Sequence, residues 1–170
     1  MNVSAVFSPC ELFRYRLERE VSQGPGLTYG FFGVNPSTAD AVENDHTVRK
    51  WIGFTHTWGG ARFIVGNVFA YCSKDVTDLV GLADAIGPEN DRYLGLIAQE
   101  ADVLVPCWGA QTKLPRALRP RLATVAAMLR ASGKPVRHLG LTACGNPKHP
   151  LNLAYTTPLT DWIDPAQGLA

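Results

Sequence analysis

Apolar and polar positions along the 170-residue chain alternate with two periods, one helical and one extended. Leu12, Phe13 and Leu17 stand at near-helical spacing among the charges of residues 10–21, which predicts a short amphipathic helix broken by Gly24, Pro25 and Gly26. Leu27 to Val34 is an aromatic-rich apolar run stopped by Asn35 and Pro36, the pattern of a buried strand that delivers a loop. Residues 45–58 open with capping types and set Val48, Trp51, Ile52 and Phe54 on one side, predicting a helix closed by Gly59 and Gly60. Arg62 to Tyr71 is a second apolar strand with the polar Asn67 set inside it. Residues 78–99 read as helical, interrupted at Gly87 and Pro88, with a second helix starting near Asn90. Asp102 to Trp108 is a third buried strand. Leu114, Leu118, Leu122, Val125 and Leu129 then mark a helix over 113–129, and Val136 to Thr142 a fourth strand. The tail after Leu159 is expected to be loosely held.

This strand–helix alternation predicts one α/β domain over residues 1–170, three layers deep, with a four-stranded, mainly parallel sheet covered by helices on both faces. Hydrophobic residues make up 46% of the chain and charged ones 18%, which excludes disorder, collagen-like repeats and coiled coil. No apolar run approaches the ~18 residues of a membrane span, and the first ten residues lack a basic segment followed by an apolar one, so a cytoplasmic address is expected and no membrane partner. Cys10, Cys72, Cys107 and Cys144 form no C-x-x-C, and are read as buried thiols rather than a zinc site or disulfide framework.

Charge is unevenly distributed. Residues 1–102 hold 13 acidic and 8 basic residues, whereas 103–160 hold no carboxylate and 8 bases, among them Lys113, Arg116, Arg119, Arg121 and Lys148. Such a segment suits a surface facing phosphates, or a solvated helix face whose counter-charges come from the other half of the fold. In an open α/β sheet, ligands bind where loops leave the carboxyl ends of the strands. Four loops qualify: Gly33-Val34-Asn35-Pro36-Ser37-Thr38, the turn at Asn67, Trp108-Gly109-Ala110-Gln111, and Gly145 to Pro150. Asn35, Asn67 and His149 can therefore converge from distant parts of the sequence. Each also has a local explanation: Asn35 as a turn initiator, Asn67 as a buried bridge, His149 as a surface histidine.

In order, these loops resemble the uracil-DNA glycosylase superfamily. G-V-N-P-S is similar to its first motif, which delivers the water-positioning residue, here Asn35 between Gly33 and Pro36. F-I-V-G-N-V-F is similar to the strand whose asparagine reads the uracil edge, here Asn67, and V-P-C-W-G-A to the strand ending in Trp-Gly. H-P-L-N-L is similar to the last motif, which implies catalytic His149 and a duplex-wedging Leu153. Ser37 replaces a tyrosine that excludes 5-methyl pyrimidines, Leu151 and Asn152 replace the serine and second proline of the last motif, and Trp51 or Phe54 takes the base-stacking role. Only Cys10 precedes the first motif, so no iron–sulfur cluster and no other cofactor is expected. The whole chain more closely resembles domain of unknown function family 1643, a bacterial family, through F-S-P-C-E-L-F-R-Y, N-P-S-T-A-D, G-P-E-N-D-R-Y and K-H-P-L.

The glycosylase resemblance implies hydrolysis of the N-glycosidic bond of a flipped uracil or modified base in DNA, with Arg116, Arg119, Arg121 and Lys148 on the phosphates. The alternative is a non-catalytic protein that binds a nucleobase, nucleotide or nucleic acid in the same pocket. A metal-dependent hydrolase would draw on Asp40, Glu43 and Asp45, whose spacing is not specific for a metal; no metal is expected.

Overall fold

The fold is known from a computed structural model in which residues 3–37 and 44–163 are described. Strands β1 (Val3–Phe7), β2 (Arg14–Glu20), β3 (Thr28–Gly33), β4 (Arg62–Asn67) and β5 (Val103–Pro106) form one sheet in the order β1-β2-β4-β3-β5. Both β1 to β2 and β2 to β4 run antiparallel, while β3 runs parallel to β4 on one side and to β5 on the other. Helices α1 (His46–Thr57), α2 (Asn90–Glu100) and α3 (Pro120–Ala131) connect the parallel strands, and a short ladder, β6 (Arg137–His138) with β7 (Thr160–Asp161), stands apart.

The sheet is thus five-stranded and mixed rather than four-stranded and mainly parallel. The difference lies at two places. Residues 14–20, expected to be helical, are strand β2, because Leu17 pairs with Val65 and turns into the core, while Arg16 and Glu18 point to the opposite face. There Arg16 bridges Glu18 and Glu100 at 2.7 Å each, and Arg62 of β4 bridges the same two carboxylates. Alternate residues meet these partners only in an extended chain. At the other end, the fourth expected strand shrinks to β6 and a single parallel bridge from Val136 to Leu104.

Both faces of the sheet are covered. Phe31, Phe63, Val65, Val103 and Val105 pack with Val48 and Trp51 of α1, while Phe32, Ile64 and Leu104 pack with Leu94 and Ile97 of α2 and Leu122, Val125 and Leu129 of α3. Consecutive residues go to opposite cores, as the period of two requires. Helix α1 begins where expected, with Asp45 Oδ1 accepting from the Val48 N–H at 2.8 Å. The helices expected over 78–86 and 113–119 are instead irregular chain with isolated 3-10 turns at Val76–Leu79, Gln111–Lys113 and Arg116–Leu118. The tail is anchored as far as Trp162, whose ring meets Trp108 edge-on at 5.8 Å and lies under the Arg130 guanidinium at 4.1 Å. Of the cysteines only Cys107 is buried, and burial pushes its thiol up to about 12; Cys10 and Cys144 are exposed and Cys72 is half-buried. Among the described residues no helix is long and apolar enough to cross a membrane.

Candidate functional site

The chain leaving β3 turns through α1 to β4 on one side, and the chain leaving β5 turns through α3 to Val136 on the other. Strands that part in this way leave a crevice at their carboxyl ends. Two adjoining cavities occupy it. The inner one, about 220 Å³, is bounded by Gly33, Asn67, Trp51, Arg14, Ser37 and Asp45 among others. The outer one, about 770 Å³, is bounded by Trp108, Gly109, Lys113, Thr142, Lys148 and Leu151 among others. Val34, Asn35, Lys74 and His149 border both and form the neck between them.

Asn67 is the last residue of β4 and is only 3% exposed, yet its carboxamide has no hydrogen-bond partner among the described residues. Its main chain is held firmly: Asn90 Nδ2, at the start of α2, donates to the carbonyls of Asn67 (3.0 Å) and Val68 (3.2 Å). The side chain lies against Gly33, where a methyl group would stand 3.0 Å from Asn67 Oδ1. Asn35 is oriented differently. Its Nδ2 donates to the Ser73 carbonyl at 2.8 Å and the Pro36 carbonyl at 3.1 Å, and only an amide nitrogen can serve two carbonyls. Asn35 Oδ1 is left without a donor among the described residues.

His149 comes from the loop that follows β6. Gly109, in the left-handed region at φ +79°, donates its N–H to the Pro147 carbonyl at 2.8 Å and packs against His149 Cβ. His149 Nδ1 accepts from the Leu151 N–H at 3.3 Å. Its ring faces the cavity and keeps solvent contact, but the surrounding protein desolvates it enough to lower its pKa; the Lys113 ammonium adds to the effect and Asp45 opposes it. At neutral pH the imidazole is therefore uncharged, with Nδ1 as acceptor and Nε2–H as donor.

Asn35, Asn67 and His149 thus border one cavity, with Gly33, Ser37 and Trp51 around them. Pro36 is buried beside it and ties the loop through its carbonyl, which accepts from the Ser73 N–H at 3.0 Å. Trp51 reaches the cavity only by an edge, since its ring stacks on Phe31 at 5.6 Å. Phe54 is not at the site: it is wholly buried on another side of α1, against Trp58 and Tyr155. Lys148 borders the outer cavity.

The three arginines do not join it. Arg121 is nearly buried, pairs with Asp91 and donates to the Val68 carbonyl at 3.3 Å. Arg119 donates to the Leu114 carbonyl at 2.9 Å, and Arg116 is exposed beyond both cavities. Leu153 is half-buried and borders neither, its carbonyl held by Lys50 Nζ at 2.7 Å; the exposed leucine on the rim is Leu151. Asp45 is occupied as the α1 cap and accepts from Ser37 Oγ at 2.9 Å. Asp40, Glu43 and Thr38 lie outside the described residues, among which no acidic, histidine or cysteine cluster could hold a metal.

Four contributors lie outside the loop motifs that pointed to the site. Lys74 reaches it from a segment without a motif, Arg14 from the F-S-P-C-E-L-F-R-Y run, Lys113 from a 3-10 turn in the carboxylate-free segment, and Asn90 acts from behind Asn67. Of these Lys74 alone has no sequence signal.

Fold and site together define an α/β protein with a two-chambered cleft at the switch point of a mixed sheet. The chain belongs to the family described as protein of unknown function (DUF1643), whose model matches residues 14–151. No curated protein and no solved structure matches it.

Proposed function

We propose that the inner cavity binds a nucleobase and that the protein hydrolyses the N-glycosidic bond joining that base to its sugar. The observation that carries this reading is the Asn67 carboxamide, which has no partner among the described residues and opens onto a cavity whose neck is formed by Asn35 and His149. A carboxamide offers a donor and an acceptor side by side, the complement of the amide edge of a base. With the base inside and the sugar outside, the glycosidic bond lies at the neck.

The chemistry at the neck is then as follows. A water held by Asn35 Oδ1 attacks C1′ of the sugar as the C1′–N bond breaks. The bonding electron pair leaves with the base nitrogen, the water oxygen remains on C1′, and the water's proton ends on the base. The His149 Nε2–H donates to a base oxygen on which the negative charge develops. Asn35 is an amide and only orients the water, so turnover is slow.

The binding-only alternative draws on one observation: Asp45, the described carboxylate at the inner cavity, is occupied by Ser37 and the Val48 N–H and is not poised as a base. The deciding experiment is base release from a panel of uracil-, hypoxanthine- and 5-substituted-pyrimidine-containing substrates. Release that is lost in Asn35→Ala and His149→Ala, with binding retained, supports hydrolysis. Binding with no release by the unsubstituted protein leaves the binding reading, and neither binding nor release sinks both.

A further inference from the structure

We propose that the outer cavity is a phosphate subsite and that the ligand is a free nucleotide, a nucleoside carrying a terminal phosphate, rather than a base within a nucleic-acid strand. The inference rests on the reading of the inner cavity as a base pocket and assigns the other half of the ligand.

Lys74, Lys113 and Lys148 all border the outer cavity, and none makes a salt bridge or side-chain hydrogen bond among the described residues. The acidic residue on the same wall, Asp75, uses one oxygen locally: its Oδ1 accepts from the Thr77 N–H at 2.9 Å and Thr77 Oγ1 at 2.7 Å. Three ammonium groups therefore face a cavity with a single carboxylate on its wall, an excess of two positive charges. His149, uncharged and donating through Nε2–H, stands with Lys74 at the neck of the inner chamber. A phosphate is the common ligand group that takes several ammonium donors while leaving an uncharged base for the smaller chamber behind it, whose mixed wall includes Asn67 and the edge of Trp51.

The rest of the basic segment separates a free nucleotide from a strand. A duplex or single strand needs cations spread along a track. Here Arg121 and Arg137 are neutralised by Asp91 and Asp161, Arg119 and Lys134 are tied to the Leu114 and Ala101 carbonyls, and Arg130 lies on the Trp162 ring, which leaves Arg116 as the segment's one exposed cation outside the cavity with no partner among the described residues. Unanswered positive charge is concentrated in one concave site, and 770 Å³ is within the range of small-molecule pockets, about 300–1,000 Å³. The neck fixes the order of the parts: base in the inner chamber, sugar between Asn35 and His149, phosphate among the lysines.

The test is calorimetric titration of the full chain with each common base as free base, nucleoside and nucleoside 5′-monophosphate, and with a single-stranded and a duplex oligonucleotide containing it. For the preferred base, the monophosphate is expected to bind at least tenfold tighter than the nucleoside, and the Lys113→Ala/Lys148→Ala protein to bring that ratio near one. Equal affinity for nucleoside and monophosphate overturns the phosphate subsite while leaving the base pocket. An oligonucleotide that binds tighter than the monophosphate, with a steep salt dependence, overturns the free-nucleotide assignment in favour of a strand. A phosphate advantage with no preference among bases removes the base pocket and leaves the subsite. No binding of any of these ligands overturns both.

Discussion

Replacing Asn67 by leucine separates a residue kept for a ligand from one kept for the fold. Leucine branches at the same carbon as asparagine and occupies similar space, so packing against Gly33 changes little, whereas the unpartnered amide disappears. Full burial of such a group costs about 1–3 kcal/mol. Asn67 is 3% exposed but borders a cavity that admits solvent, which places the expected gain at the low end, about 1 kcal/mol. For a domain of this size that raises Tm by roughly 2–4 °C. Asn67→Leu should therefore be more stable than the natural protein by denaturant titration at unchanged m-value, and should lose affinity for any base-bearing ligand by at least tenfold. A loss of stability of about 1 kcal/mol or more would show that the carboxamide supports the fold, and the binding reading would lose its main support.

Three further outcomes follow from the same geometry. Gly33→Ala places a methyl 3.0 Å from Asn67 Oδ1 and should weaken ligand binding by displacing the carboxamide, with a stability change under about 1 kcal/mol; unaltered affinity would mean that Asn67 does not touch the ligand. Arg121→Ala removes a nearly buried guanidinium from Asp91 and the Val68 carbonyl and should cost about 1–3 kcal/mol in urea unfolding, while leaving the salt dependence of nucleic-acid affinity unchanged; a flattened salt slope would return Arg121 to a phosphate-contacting role. His149 has a folded pKa below its ordinary 6.5, so the unfolded chain takes up the proton first: its contribution to stability is whole above pH 6.5 and declines as pH falls from there toward the folded pKa. In His149→Gln this part of the pH–stability slope should vanish, leaving the share of His138, whose burial lowers its pKa in the same direction. An unchanged slope would place the His149 ring in free solvent.

What could be read from the chain alone was the set of loops and the buried parallel strands. Leu27 to Val34 and Arg62 to Tyr71 carry enough apolar residues in a short run to be strands in any compact fold, the second ending in the structure at Asn67, and capping chemistry places the start of α1 within the sequence itself. Parallel strands in turn bring their exit loops to one rim, which is why the sequence itself points to one pocket for Asn35 and Asn67, together with His149 from a later loop.

What only the tertiary structure decided was partnership. Residues 14–20 have helical-looking apolar spacing, and their strand identity depends on Glu100 and Arg62, far along the chain, meeting alternate side chains of β2. Phe54 and Trp51 are three residues apart on one helix and are read from the sequence as one apolar side, yet only Trp51 turns an edge to the cavity. The basic segment shows no carboxylate within itself, but Asp91 and Asp161 lie opposite Arg121 and Arg137 in the fold, and Lys113 and Lys148 come to the cleft. Local periodicity is a property of neighbours in sequence, whereas charge neutralisation and exposure depend on neighbours in space, and these are set when the sheet and its two helical layers close on one another.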